Sequence, residues 1–279
     1  GCPPDIFSAD GQLWGNPLYR WDVMAREEDP FHWWKLRFGA ALKLYDVIRI
    51  DHFRGFEAYY TIPFGDKNAR KGHWVKGPGY ALFAELKKAF GEDLPIIAED
   101  LGLLTDEVYA LLKQCGFPGM KVMQFAFDGT GTSEYLPHNY PTNCIVYTGT
   151  HDNDTIMGWA ETAKPYEVEF AKKWLHVTKE ESMAWTMMRM AMMSVADTCI
   201  LTAQDLISLG KEARINIPST VGGNWQWRID GACINDWLAE ILLNYTKMYG
   251  RYPKSPVKAA EVLTNPDEEE ESTESKAEE

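Results

Sequence analysis

An α/β fold built on a parallel sheet is what this sequence predicts, and three observations carry it. Short β-branched or apolar runs recur along the chain, each ending in a polar or charged residue. Amphipathic helical patterns fill the intervals between runs. The polar residues collect after the runs, where the C-terminal ends of parallel strands build a site.

The runs come in order at 47–50, ending at Asp51; 95–98, ending at Glu99; 121–125, ending near Asp128; 144–148, leading to His151 and Asp152; and 199–202, ending at Gln204 and Asp205. Runs this apolar suit strands buried on both faces. Between them, Phe31, Trp34, Phe38, Ala41, Leu42 and Tyr45 recur at helical spacing and predict one apolar stripe. Tyr80 to Leu86 forms a second helical pattern, stopped at Gly91. Thr105 followed by Asp106 and Glu107 reads as an N-cap with first-turn acids, opening a helix over 108–113. The stretch 166–196 is methionine-rich and long enough for more than one helix, and 235–249 predicts a last helix ending at Gly250. The methionines at 183, 187, 188, 190, 192 and 193 read as core filler. Residues 52–79 and 204–230 are long connections rich in Gly and Trp, of the kind that carry function. Trp225 and Trp227 alternate as in a strand.

With 279 residues, 45% hydrophobic, and a mean hydropathy of −0.34, the chain has the material for a sizeable core. It contains no run of about 18 apolar residues, so no membrane-spanning helix is expected. The formal charge is −13, of which the eight acids and one lysine of 267–279 supply seven. The remaining, mildly acidic body argues against a nucleic-acid partner, which calls for clustered Lys and Arg. That tail reads as solvated and disordered. Five widely spaced cysteines with no CxxC pair predict reduced thiols in a cytoplasmic protein. The six histidines show no HxxxH pair, and Asp152-Asn153-Asp154 lacks the Gly and Glu of a calcium loop, so neither a metal nor a cofactor is expected.

Asp51, Glu99 and Asp152 each follow a predicted strand. Two facing carboxylates suffice for glycoside chemistry, one attacking the anomeric carbon and one protonating the leaving oxygen, and a third can stabilise the positive charge that develops on the ring. The 11 Trp, 13 Tyr and 12 Phe supply faces on which sugars stack. The plainer alternative is that each acid caps a helix or sits in an ion pair.

The motifs decide between these readings by resemblance. Residues 3–5 through Gly11-Gln12-Leu13-Trp14-Gly15-Asn16-Pro17-Leu18-Tyr19, then Arg-Ile-Asp-His-Phe-Arg-Gly at 49–55, Ile-Ile-Ala-Glu-Asp-Leu-Gly at 96–102, Gln-Phe-Ala-Phe-Asp at 124–128, Gly-Thr-His-Asp-Asn-Asp-Thr at 149–155, and Arg214-Ile215-Asn216-Ile217-Pro218 through Arg228 follow one another. In that order they resemble the 4-alpha-glucanotransferases of the amylomaltase or disproportionating-enzyme type, glycoside hydrolase family 77. The resemblance implies a (β/α)8 TIM-barrel of the alpha-amylase clan, of which strands 4–8 would be present, and transfer of an α-1,4-glucan segment by a retaining double displacement. It implies Asp51 as nucleophile, Glu99 as general acid and base, and Asp152 as transition-state stabiliser. It places Arg49, His52, His151, Asp5, Gln12, Trp14, Phe125 and Asn216 on the substrate. It further implies a barrel portion over 1–250 with 1–20 as a lid, a C-terminal extension over 251–266, and maltooligosaccharides as partners. The chain starts with Gly rather than Met and reads as the C-terminal part of such an enzyme, so a missing N-terminal barrel half is a further expected partner. The alternative is a non-catalytic fragment that only binds glucan.

Overall fold

A computed structural model of the chain describes residues 1–4, 8–102 and 104–253. Of the expectations above, Asp5, the tail 267–279 and all of the extension except 251–253 lie outside the described residues.

Each of the five apolar runs contributes a strand. In chain order the strands are β1 (Ile48–Ile50), β2 (Ala58–Thr61), β3 (His73–Lys76), β4 (Ile96–Ala98), β5 (Gly119–Val122), β6 (Cys144–Tyr147) and β7 (Thr198–Ile200). β1 pairs in parallel with β4, with Ile48, Arg49 and Ile50 facing Ile96, Ile97 and Ala98. β5, β6 and β7 form a second parallel set, β6 in the middle. The Ala98 N–H donates to Pro118 O at 3.0 Å, which joins β4 to the entry of β5. The spatial order is therefore β1-β4-β5-β6-β7, the order in which the chain meets them, with β2 and β3 set aside as an antiparallel hairpin.

Side chains alternate between two faces, as the strand period of two requires. Ile50, Ile96 and Ala98 point into one helix-covered core, with Phe38, Phe53, Leu82, Phe83, Leu86 and Val108. Cys144 and Val146 point into another, with Ile156, Leu175, Met187 and Met188. The opposite face carries Met120, Val122, Ile145 and Tyr147, with Ile97 packed on them. Every residue of β5 and β6 is buried, as a strand covered on both sides must be, whereas β1 and β7 at the ends of the row are more open.

The helices are α1 (Trp21–Met24), α2 (His32–Leu42), α3 (Tyr80–Phe90), α4 (Asp106–Cys115), α5 (Ile156–Thr162), α6 (Pro165–Leu175), α7 (Met183–Met193) and α8 (Ala203–Leu206). Helix α2 buries Trp34 and Phe38 behind Phe31, but it ends at Leu42, so Tyr45 lies past the stripe and is exposed. Thr105 does occupy the cap position of α4, yet its hydroxyl makes no capping bond to the helix backbone. Gly116 ends α4 in the left-handed region at φ 77°, as a C-terminal glycine does. The methionine-rich stretch splits into α6 and α7, and Met183, Met187, Met188 and Met192 are buried while Met193 is exposed.

Two other details depart from the sequence reading. The third run begins at Gly119 and turns into a 3₁₀ turn at Met123–Phe125. The reason is Asp100, a buried carboxylate whose Oδ1 accepts the Met120 N–H at 2.6 Å and leaves no room for a side chain at 119. A Cβ there would overlap that carboxylate. Gly119→Ala is therefore expected to cost about 1–3 kcal/mol, the range for overpacking a filled site, measurable as a lowered urea midpoint. The second departure is at Trp225, which is not in a strand: its φ is 63° and the segment 214–230 carries no strand.

A second compact unit starts at Asp230. Its described part holds a 3₁₀ turn at Gly231–Cys233, where Asp230 Oδ1 accepts the Ala232 N–H at 3.0 Å, and α9 (Asp236–Met248). Asn235 opens α9 by accepting the Leu238 N–H at 3.1 Å. Cys115 and Cys144 are buried, Cys2 and Cys199 half-buried, and Cys233 exposed.

Candidate active site

The pairing of β1 with β4 places Asp51 and Glu99 side by side, each the first residue past a paired position. The ladder continues into the loops: Glu99 N–H donates to Ile50 O at 2.9 Å, and Phe53 N–H donates to Glu99 O at 3.1 Å. The two carboxylates then meet opposite surroundings. Asp51 has a side chain 78% exposed, and its Oδ1 takes the Arg49 Nη1 at 2.8 Å. Arg49 is two residues back on the same face, with Nε 3.3 Å from Met120 Sδ.

Glu99 is half-buried and held by both oxygens. Oε2 accepts the His52 N–H at 2.7 Å and Oε1 accepts the Leu101 N–H at 2.8 Å. Burial raises its pKa above the usual carboxylate value; the two backbone N–H groups oppose that, and the Asp51 charge adds to it. The His52 N–H reaches Glu99 because His52 adopts left-handed backbone, at φ 49°. Burial first, and the Arg54 charge second, hold the His52 imidazole down at about 4, so it is neutral near pH 7. Trp14 meets the His52 ring edge-on at 4.9 Å, and Trp14 Nε1 donates to Gln12 Oε1 at 2.9 Å. Gln12 is fixed by a two-bond bridge with Cys2, at 2.9 Å each way. Gln12, Trp14, His52, Arg49, Asp51 and Glu99 thus form one connected set.

Asp152 belongs to a second set, on the loop after β6. Its Oδ1 accepts from Asn216 Nδ2 at 2.6 Å, and its Oδ2 lies 3.4 Å from His151 Nε2. The His151 ring is 5.5 Å from that of Trp225. The loop is braced from within by Asn153, whose Oδ1 accepts the N–H and the hydroxyl of Thr150 at 2.9 and 2.8 Å. Both its ends are tied to Asp205, which is buried to 1% exposure. Asp205 accepts from the hydroxyls of Thr148 and Thr202, at 2.9 and 2.7 Å, and from the Ile156 N–H at 2.8 Å.

A cavity of about 220 Å³ is lined by Arg49 of the first set and His151 of the second, together with Tyr147, Gln204 and Arg214; Asp51, Glu99 and Asp152 are not among its lining residues. Phe125 stands apart from these contacts. It is exposed and packs edge-on against Tyr135 at 5.5 Å. Arg214 and Asp205 are part of this arrangement and were not singled out in the sequence. Asp205 carried a signal, since it closes the fifth apolar run. Arg214 opens the last motif, but its partner Asp152 is 62 residues away and only the fold shows that contact. Among the described residues no group of three His, Cys, Asp or Glu is placed to hold a metal, and no helix is long and apolar enough to cross a membrane.

Comparison with known proteins places this arrangement in a family. The 4-alpha-glucanotransferase family model matches residues 1–234. The 4-alpha-glucanotransferase of Clostridium butyricum is 51% identical over 252 residues, covering 90% of this chain and 51% of that protein. The 4-alpha-glucanotransferase of Thermus thermophilus is 50% identical, over 82% of this chain and 47% of that protein. The structure of an amylomaltase from Streptococcus agalactiae, in complex with acarbose, superposes with a TM-score of 0.85 at 43% identity, over 91% of this chain and 51% of that one. The chain spans about half the length of the curated relatives it matches. Motifs, match and superposition agree, and the chain belongs to glycoside hydrolase family 77, the 4-alpha-glucanotransferases.

Proposed function

We propose that the chain carries the reacting face of a 4-alpha-glucanotransferase, which moves a segment of α-1,4-glucan onto the 4-hydroxyl of an acceptor glucose or glucan. The observation that carries this reading is the contrast between two adjacent carboxylates: Asp51 is open and paired with Arg49, and Glu99 is half-buried with a raised pKa. That is the division of labour a retaining double displacement requires.

In the first step Asp51 attacks the anomeric carbon, the glycosidic C–O bond breaks, and Glu99 gives its proton to the departing 4-oxygen. In the second, the Glu99 carboxylate takes the proton of the acceptor 4-hydroxyl while that oxygen attacks the anomeric carbon and expels Asp51. Arg49 holds the Asp51 carboxylate in place through the 2.8 Å hydrogen bond to Oδ1. Asp152, aligned by Asn216 and His151, balances the positive charge on the ring at each transition state. His52, neutral at pH 7, offers the sugar a hydrogen bond without competing for the proton. Asp5 and Phe125 keep the substrate-side roles that the family resemblance implies.

We take the five parallel strands as a contiguous run of the eight in an alpha-amylase-type barrel, because they follow one another in space as in sequence. Five widely spaced cysteines with no CxxC pair fit a reducing, cytoplasmic setting. Incubation with maltotriose tests the function: glucose together with maltooligosaccharides longer than three units supports it, and reducing ends without longer products refute it. The alternative reading, glucan binding without turnover unless an N-terminal barrel portion is supplied, is not favoured by the match to 4-alpha-glucanotransferases. Retained maltooligosaccharide binding with no product would select it.

Transfer outruns hydrolysis when the acceptor side excludes water. We assign that task to Trp14, which Gln12 holds edge-on against His52. Trp14→Ala is expected to raise the ratio of hydrolysis to transfer severalfold, read as new reducing ends per lengthened product; an unchanged ratio would remove Trp14 from this role.

A further inference from the structure

We propose that Arg214 is a positioning residue: its guanidinium clasps the Asp152 loop to the 214–225 loop and so sets the direction of the Asp152 carboxylate and of the Asn216 amide. The inference rests on the transfer reading above for its effect on rate, and on the geometry alone for its effect on the loops.

The geometry is a fork. Arg214 Nη2 donates to the Asp152 backbone oxygen at 2.7 Å, and Nε donates to the Asn216 backbone oxygen at 2.9 Å. Nη1 lies 3.8 Å from Asp154 Oδ2. The two carbonyls so bridged belong to the residues whose side chains meet as the Asn216–Asp152 hydrogen bond of 2.6 Å. One planar group therefore fixes both backbones from which that bond is projected. Planarity matters here, because a guanidinium holds its donors in a set fan that a single ammonium lacks.

The second loop depends on such bonds. Residues 214–225 contain no helix or strand, so no ladder locates them. Their order comes from a few contacts: Ile217 N–H to Asn224 Oδ1 at 3.0 Å, Trp225 N–H to Ile215 O at 2.6 Å, and the Arg214 clasp. The base of the clasp is firm. Ala213 is fully buried, and its carbonyl accepts from Gln204 Nε2 at 3.3 Å, on α8 beside Asp205. Arg214 thus reaches from a buried anchor to both loops, and it lines the cavity with His151 and Arg49.

A misdirected catalytic group is costly, on the order of 10²-fold in rate for about 1 Å of displacement. The test compares Arg214→Lys, Arg214→Met and Asn216→Ala in the same chain, with maltotriose kinetics and amide hydrogen exchange. Arg214→Lys keeps the charge and loses the fork. It is expected to lower kcat by on the order of 10²-fold while KM changes little, and to speed exchange at Ile217, Asn153 and Trp225. Arg214→Met is expected to match it. Asn216→Ala leaves the clasp to both carbonyls intact, so it should lose kcat comparably with those amides still protected. Full activity in Arg214→Lys would assign the residue to charge alone and overturn the proposal, as would unchanged exchange in both Arg214 variants. Should the unsubstituted chain convert no maltotriose, the transfer reading fails on that result, and the exchange comparison still decides the clasp.

Discussion

Glu99→Gln is expected to lower transfer from maltotriose by about 10²–10⁴-fold, the range attributed to a positioned general acid. Gln keeps the volume and one acceptor for the backbone N–H groups at His52 and Leu101, and loses the proton that the leaving 4-oxygen needs. The sign of the pH dependence follows from the same group. Its folded pKa lies above the ordinary 4.5, raised mainly by burial, and the first step uses the protonated form. With a donor whose first step limits the rate, kcat/KM is therefore expected to fall as pH rises through that raised value, and this limb is expected to vanish in Glu99→Gln. A maltosyl fluoride donor separates the two carboxylates, since fluoride leaves without a proton. Glu99→Gln should recover its first step with that donor, whereas Asp51→Asn should remain inactive with either. Persistent maltotriose turnover in Glu99→Gln would end the assignment of Glu99 as the acid.

Asp205→Ala is expected to have the largest effect on stability, about 3 kcal/mol or more, because three donors, two of them buried, lose their acceptor at once. They are the hydroxyls of Thr148 and Thr202 and the first N–H of α5, at Ile156. The urea midpoint measures the loss, and a change below 1 kcal/mol would show that the donors find other partners. Asp205→Asn gives a second reading, through pH. Burial raises the pKa of Asp205 above the ordinary 3.8, so the folded state holds this proton more tightly than the unfolded one. The stabilisation it contributes is thus complete below 3.8 and declines as pH rises through the raised value. The stability deficit of Asp205→Asn relative to the parent should accordingly narrow as pH rises across that interval, as followed by the urea midpoint at successive pH values.

Much of the sheet was legible because burial on both faces leaves a plain mark: 95–98 and 144–148 read as continuous apolar runs and became β4 and β6. The third run was placed late, since the start of β5 is set by Asp100 closing over Gly119, a contact no run of apolar residues announces. The β2–β3 hairpin was read only as a long connection. Its strands are four residues each, paired antiparallel across a long connection rather than a tight turn, with Tyr60 meeting Trp74 edge-on at 5.2 Å. Trp225 and Trp227 alternate in sequence, yet Trp225 follows the ring of His151 into a left-handed turn. In the candidate site, the positions of Asp51, Glu99 and Asp152 after strands were legible, because each follows an apolar run and sits in a motif. Asn216 was placed by its motif, and its hydrogen bond to Asp152 was not legible, since a contact between residues 64 apart exists only after folding. Arg214 and Asp205 act through backbone atoms and hydroxyls, partners that carry no mark in the order of the side chains.

The left-handed backbone at His52 has a consequence for how the site can diversify. A residue other than Gly holds such a twist at a cost of roughly 1–3 kcal/mol, met here by the ring lodging between Trp14 and Gly55. The same twist aims the amide at Glu99 while the imidazole meets Trp14. Under the proposed function, proton delivery depends on the main chain of this residue and sugar recognition on its side chain, so descendants of this scaffold are free to retune the second by exchanging rings while inheriting the first unchanged.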